Sequence, residues 1–442
     1  MTRRRVIASW FALIFVLALA ARLAATFTLK RWDDPTAGAY RQLALNLLEH
    51  GAYSFREFGY FGPSSVQTPL YPALLAGLFA LFGPESPTAY FAALSLNAVF
   101  GGLCALAVAQ AVRRSGAGDA TGVAAGIVTA LWPAQVLAAQ FVQPMVLTAL
   151  LTAAAVAWWQ RARSSTGLWT WLGFSLAAAT ASMLQPTLLP ALAAAFPAIL
   201  FARCWPGDIR IRNAAVLACC VAVLWVPWLA RNAAVHGRPV ITTRYWQDRY
   251  ATSNPYATGS DRLPLTPQRR ASAGSLRSPH SDDSVAADVV RIPMMQIDEL
   301  SPRQRAELQG KSEAQREQLF ADFSRQISGG KAIWMMQLPI RLAKAWTIDW
   351  DHPMSRHVLA MVPRWTIAAV SLVGLLLFAA RRLPSAGPVA VVLAGSALGQ
   401  ALSIASARQV IAMEPLQIVL AFTVVAATFG RSTERRVGGA QA

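Results

Sequence analysis

Long apolar stretches with arginine clusters at their ends constrain this chain more than any other feature. Apolar segments run over 6–28, 89–112, 118–137, 142–160, 167–184, 186–203, 213–231, 359–380, 386–405 and 409–430. Each can cross a hydrocarbon core of about 30 Å, some with tilt or local thinning. A backbone in lipid must satisfy its own polar groups, so such segments fold as helices. The chain is 55% hydrophobic and only 14% charged, against about 25% charged for a soluble domain. The formal net charge of +18 does not argue for nucleic acid, because the basic residues flank apolar segments or lie in one long loop. They read as orientation signals and as contacts to anionic headgroups of membrane lipids.

The same clusters set the topology. Arg3-Arg4-Arg5 on the cytoplasmic side sends the first helix outward, and the uninterrupted run to Thr28 is read as a retained helix rather than a cleaved signal. A further run at 69–83 is shorter and carries Pro69 and Pro72. If it crossed, Arg113-Arg114, Arg161/Arg163 and Arg210/Arg212 would all fall outside. If it lies along the interface, all of them fall inside, together with Arg381-Arg382 and Arg431, Arg435 and Arg436. The expectation is an all-α polytopic protein of about ten spanning helices in a bacterial inner membrane, with both termini cytoplasmic.

Three regions follow: an N-terminal membrane module over 1–231 with a first external loop at 29–88, an extracytoplasmic insertion at 232–358, and C-terminal helices with a tail over 359–442. Within the first loop, Asp34 can cap and Pro35 can open a helix over 35–49, with Tyr40, Leu43, Ala44, Leu47 and Leu48 as its apolar stripe and Gly51 as its stop. Within the insertion, 259–288 is rich in Ser, Arg, Asp and Pro and reads as flexible. Residues 301–328 have charged helical spacing, and 331–346 (Lys331, Trp334, Leu338, Leu342, Trp346) reads as an amphipathic return to the membrane. Cys104, Cys204, Cys219 and Cys220 lack metal-ligand spacing, so neither a disulfide framework nor a metal site is expected. His50, His236, His280, His352 and His357 also lack it and read as surface or interface histidines.

Short motifs then recur in a telling order. An acidic pair, Asp33-Asp34, precedes Tyr40-x-x-Leu43-Ala44-x-Asn46-Leu47-Leu48. Thr68-Pro69-Leu70-Tyr71-Pro72 opens the short helix, and Gln185-Pro186-Thr187 separates two helices. Pro227-Trp228-Leu229-Ala230-Arg231-Asn232 leaves the membrane, Asn254-Pro255-Tyr256 follows, and Arg408 precedes Glu414-Pro415. The ordered set resembles the GT-C glycosyltransferases, in the branch of protein O-mannosyltransferases and aminoarabinose transferases, over nearly the whole chain.

The resemblance implies transfer of a sugar from a polyprenyl-phosphate-sugar donor to an extracytoplasmic acceptor, a glycan, lipid or protein, with an acid of the first loop as general base. It implies no cofactor beyond the lipid-linked donor, which is itself a substrate. An inverting single displacement needs one carboxylate near the acceptor oxygen, a role that falls to Asp34 or Asp33. A phosphate leaving group needs cations and hydrogen-bond donors, here Arg22, Arg231, Arg408 and Gln185. Burying Arg22 in an apolar helix costs less than the ~2.5–3.5 kcal/mol of a central position, and a phosphate would offset part of it. Tyr40, Gln67 and Tyr71 are the candidate substrate contacts. Gln67, Gln185 and the Gln143-Pro144 pair stand where the family often carries charge, and glutamine hydrogen-bonds a phosphate without neutralising it. Two other readings therefore stay open: a transporter or flippase of lipid-linked precursors, and a catalytically inactive GT-C relative serving as an assembly subunit.

Overall fold

The computed structural model describes residues 3–163, 167–202, 205–253, 300, 302–327, 329–347, 358–380, 383–403 and 407–439. Helix α1 (Arg3–Leu29) leads to a short module: α2 (Ala39–His50), a hairpin of β1 (Ser54–Glu57) and β2 (Tyr60–Pro63), and α3 (Leu70–Phe82). The bundle continues through α4 (Pro87–Val112), α5 (Asp119–Leu131), α6 (Pro133–Ala138), α7 (Met145–Ala162), α8 (Leu168–Leu184), α9 (Leu189–Leu200) and α10 (Gly207–His236). The insertion contributes α11 (Tyr245–Ser253), α12 (Pro302–Leu308), α13 (Glu313–Gln326), α14 (Gly330–Met336) and α15 (Leu338–Trp346). The chain closes with α16 (Val358–Ala379), α17 (Gly387–Leu402) and α18 (Ala407–Gly439).

Among the described residues, five helices are long and apolar enough to cross a membrane: Arg5–Leu29, Pro87–Ala117, Gly207–His236, Met361–Ala379 and Gln409–Thr428. The protein is thus a multi-pass membrane protein. Shorter apolar helices, among them Leu168–Leu184 and Gly387–Leu402, account for much of the difference from the ten expected. One expected span, 118–137, is interrupted: Trp132 is extended (φ −60°, ψ 116°) between α5 and α6. Its neighbour Pro133 disfavours the helical conformation at the preceding residue. The break presents the Trp132 indole N–H to Glu414 Oε2 at 2.8 Å. Glu414 also pairs with Arg364 of α16, so a buried ion pair joins α16 to α18.

Helix α4 is the centre of the bundle and packs on α1, α3, α5, α7 and α18. Its buried face is mostly small: Ala93, Ala98, Gly101, Gly102, Ala105 and Ala109. Lipid tails are as apolar as leucine, so helices in membranes associate through close packing of small residues. The same device recurs where α17 meets the Gln185–Thr187 kink.

Two local expectations are corrected. The helix expected over 35–49 begins at Ala39, with Gly38 at its N-cap and no side-chain cap, so neither Asp34 nor Pro35 opens it; Gly51 ends it in the left-handed conformation, as expected. The all-helical reading missed the hairpin, whose two-residue turn has positive φ at both Phe58 and Gly59 (49° and 74°), as tight hairpins require. The short helix expected at 69–83 forms as α3. The charged spacing over 301–328 forms α12 and α13, the latter opened by a Ser312/Gln315 capping box. Residues 254–299, with the Asn254-Pro255-Tyr256 motif and the 259–288 segment, lie outside the described residues.

At Gly399 of α17 an added Cβ would run into the Thr187 carbonyl oxygen, a backbone atom that cannot swing away, whereas at Gly77 of α3 it would meet nothing. Gly399→Ala is therefore expected to destabilise by about 1–3 kcal/mol, read as a lower melting temperature of the purified protein. Gly77→Ala should leave that temperature unchanged or raise it slightly.

Candidate functional site

The first loop holds two features side by side. Asp33 and Asp34 lie exposed on the turn that follows α1, closed by the Asp33 N–H on the Lys30 carbonyl at 3.1 Å. Trp32, just before them, packs into the buried cluster that contains Tyr40 and Tyr71, which ties the turn to that cluster. The Tyr40 hydroxyl donates to Gln67 Oε1 at 3.2 Å, its ring meets Tyr71 edge-on at 5.2 Å, and the Tyr71 hydroxyl hydrogen-bonds the Asn97 side chain. The structure thus brings Tyr40, Gln67 and Tyr71 together, with Asn97 of α4 as a member that its place inside an apolar segment had hidden.

The other candidates are placed differently. Arg22 is sealed inside the bundle at 1% exposure, donating to the carbonyls of Ala18 (3.0 Å) and Ala130 (2.8 Å), with its stem against Gly101. Its Nε has no partner. Gln185 folds over its own kink, donating to Thr187 Oγ1 at 3.0 Å. Arg408 opens α18, and its side chain lies outside the described residues.

Arg231 spans to the first loop. Its guanidinium donates to the carbonyls of Ser64 (2.7 Å) and Tyr53 (3.0 Å), to Ser65 Oγ (2.8 Å) and to Asn232 Oδ1 (2.9 Å), and it lies 5.3 Å from the Trp228 ring centroid. Ser65 is fully buried, and its hydroxyl has a complete set of partners. It donates to Asn232 Oδ1 at 2.7 Å. Its single proton is then used, so His236 Nε2, 2.8 Å away, carries the hydrogen and donates to Ser65, as Arg231 does. The Ser65 N–H donates to Glu313 of α13 at 2.7 Å, and Glu313 also accepts from Thr243. His236 is therefore part of an interior network rather than a surface histidine. His50 is exposed, and His280, His352 and His357 lie outside the described residues.

A second tie lies beside it. Glu57 of the hairpin pairs with Arg316 of α13 at 3.1 Å, and Arg316 also donates to the Glu57 carbonyl at 3.0 Å. Burial raises the Glu57 carboxyl above the usual range, against the pull of Arg316. Burial likewise lifts the Tyr53 phenol well above its usual value, keeping it protonated as donor to the Gln67 and Thr68 carbonyls at 3.0 and 3.1 Å. Glu313 and Arg316 sit more than two hundred residues from Ser65 and Glu57, and nothing local in the sequence announced the pairing. Among the described residues no three His, Cys, Asp or Glu side chains converge as metal ligands would.

No protein-family model and no curated protein sequence matches the chain. Solved structures do. The archaeal oligosaccharyltransferase AglB from Archaeoglobus fulgidus, in complex with an inhibitory peptide and a dolichol-phosphate, matches with a TM-score of 0.50 and 12% identity over 98% of this chain. This chain spans about half of AglB, 52% of its length. ArnT from Cupriavidus metallidurans bound to undecaprenyl phosphate matches with a TM-score of 0.40 and 15% identity, over 95% of this chain and 78% of ArnT. Its apo state matches with a TM-score of 0.38 and 13% identity, over 95% and 77%. AglB is the match that carries the fold, and the resemblance to GT-C glycosyltransferases read from the motifs holds at that level.

Arg316→Met would strand the Glu57 carboxylate. A loss of about 3–5 kcal/mol at neutral pH is expected, seen as a lower melting temperature, while Arg303→Met, at a 90% exposed position, should change little. The Glu57 pKa in the folded state lies above its unfolded value, so its ionisation opposes folding. Stability is lost as pH rises through the folded pKa and regained as pH falls toward the unfolded one. The deficit of Arg316→Met should therefore shrink on acidification; a deficit that does not change with pH would contradict this role for Glu57.

Proposed function

We propose that this protein is an integral membrane glycosyltransferase of the GT-C type. It moves a sugar from a polyprenyl-phosphate carrier to a glycan, lipid or protein acceptor on the extracytoplasmic side of a bacterial inner membrane. The chain would cross about ten times with both termini cytoplasmic. The observation that carries the reading is the exposed Asp33-Asp34 turn, tethered by Trp32 to the Tyr40–Gln67–Tyr71 cluster, in a fold shared with AglB.

Chemistry follows from that arrangement. One carboxylate of the pair takes the acceptor hydroxyl proton as the acceptor oxygen attacks the anomeric carbon, with inversion. The anomeric C–O bond breaks and polyprenyl phosphate leaves with its electron pair. Cations and neutral donors stabilise the departing charge, a role assigned to Arg22, Arg231, Arg408 and Gln185. Arg231 acts from within its network with the first loop. Tyr40, Gln67 and Tyr71 contact the sugar or the acceptor. No cofactor beyond the lipid-linked donor is invoked.

The test compares surface glycans of a deletion strain complemented with wild type or with Asp33→Asn/Asp34→Asn at equal expression. Loss of a general base is expected to reduce transfer by about 10²–10⁴-fold without loss of folded protein. Full rescue by the variant would remove the pair from the reaction.

A further inference from the structure

The segment 331–346, expected as an amphipathic return to the membrane, turns apolar side chains outward. It forms two helices, α14 and α15, and its apolar side chains Met335, Met336, Ile340 and Leu342 are 53%, 76%, 43% and 45% exposed. Arg341 and Lys344 are both fully buried. An interfacial helix that presents methionine and leucine outward and arginine inward faces lipid with its apolar side. Its buried cations face the protein interior, where ionisable groups in membrane proteins mark functional sites.

The surroundings of Arg341 narrow the function. Its Nε donates to the Ala401 carbonyl at 2.6 Å and its Nη2 to the Trp334 carbonyl at 2.9 Å, while its Nη1 is buried without a partner. The Trp334 indole N–H is likewise buried without a partner. Arg341 lies 4.6 Å from the Trp334 ring centroid, and Arg249 of α11 lies 3.8 Å from the same centroid. The two positive charges can be no further apart than the sum of those distances. Among the described residues, neither forms an ion pair. Burial and the neighbouring Arg249 pull the Arg341 pKa down to about 10. Two adjacent unneutralised guanidiniums and two unused donors are a cost to folding that an anion would offset. Arg249 is only partly buried, which leaves one side of the cluster open.

We propose that Arg249, Trp334 and Arg341 form a cradle for a phosphate or diphosphate group, with the apolar face of α14–α15 beside it as the surface along which an attached lipid tail would lie. This deepens the reading above by naming a phosphate site at residues that reading did not use, and it rests on that reading for the lipid source only. Guanidinium forks suit phosphate oxygens, and the indole N–H adds a neutral donor.

The experiment uses the full-length protein in nanodiscs, titrated with inorganic pyrophosphate and separately with undecaprenyl phosphate. Binding of the lipid in preference to pyrophosphate identifies a lipid headgroup, and comparable binding of both identifies the phosphate alone. In either case Arg249→Gln and Arg341→Gln should each weaken binding about tenfold or more. Arg249→Gln, at the partly exposed position, keeps the test valid if Arg341→Gln fails to fold. Unchanged affinity in Arg249→Gln, or no binding of either probe by wild type, overturns the site. Sugar transfer is scored in parallel. Transfer with unchanged phosphate affinity in the variants sinks the cradle and spares the glycosyltransferase reading; arginine-dependent phosphate binding without transfer does the reverse.

Discussion

The architecture depends on how one short loop is held. Residues 53–65 join a helix pair on one side to the insertion on the other, and Ser65 is the pin. Its N–H goes to Glu313, its hydroxyl proton to Asn232, and its lone pairs receive Arg231 and His236. Each group is buried or half-buried, so each unmade bond would cost about 1–3 kcal/mol. A fully satisfied network of this kind fixes a single geometry. The Glu57–Arg316 pair and the Gly310 N–H to Phe58 carbonyl bond at 2.8 Å repeat the join nearby. The first loop and the insertion thus act as one piece, and the exposed aspartates hang from its edge.

Buried arginines in this protein meet the cost of burial in distinct ways. Arg364 is neutralised by Glu414, itself steadied by Trp132. Arg22 donates to backbone carbonyls of α1 and α5, which stitches two helices together. Arg231 has acceptors on the loop, on Ser65 and on Asn232. Arg341 has two carbonyls and an idle Nη1 beside a second cation. Arg22 and Arg364 also keep one unpartnered donor each; what sets Arg341 apart is the second guanidinium over the same Trp334 ring, with no ion pair for either among the described residues.

Much of the fold was legible because it depends on local patterns. Apolar length marks the long helices, Gly51 ends α2, Pro69 and Pro72 mark the start of α3, and helical charge spacing gave α12 and α13. The hairpin was missed because two four-residue strands carry little periodicity, and the turn at Phe58 places positive φ on a bulky residue. Asp34 as a cap failed because Gly38 lets the chain enter α2 four residues later. Tyr40, Gln67 and Tyr71, each singled out separately in the sequence, meet in one cluster. Ser65, Asn97, His236, Glu313 and Arg341 stayed hidden, because each gains its meaning from a partner distant in sequence. The amphipathic spacing over 331–346 was legible, but the burial of Arg341 and Lys344 was not, because it depends on partners distant in sequence.

The measurement that most directly tests a lipid-phosphate sugar transferase is native mass spectrometry of the purified full chain with undecaprenyl phosphate in competition with phosphatidylglycerol. Retention of undecaprenyl phosphate by the protein as collisional energy strips phosphatidylglycerol away is the expected result. Loss of both lipids in parallel, at every energy, would contradict a site built for a polyprenyl phosphate.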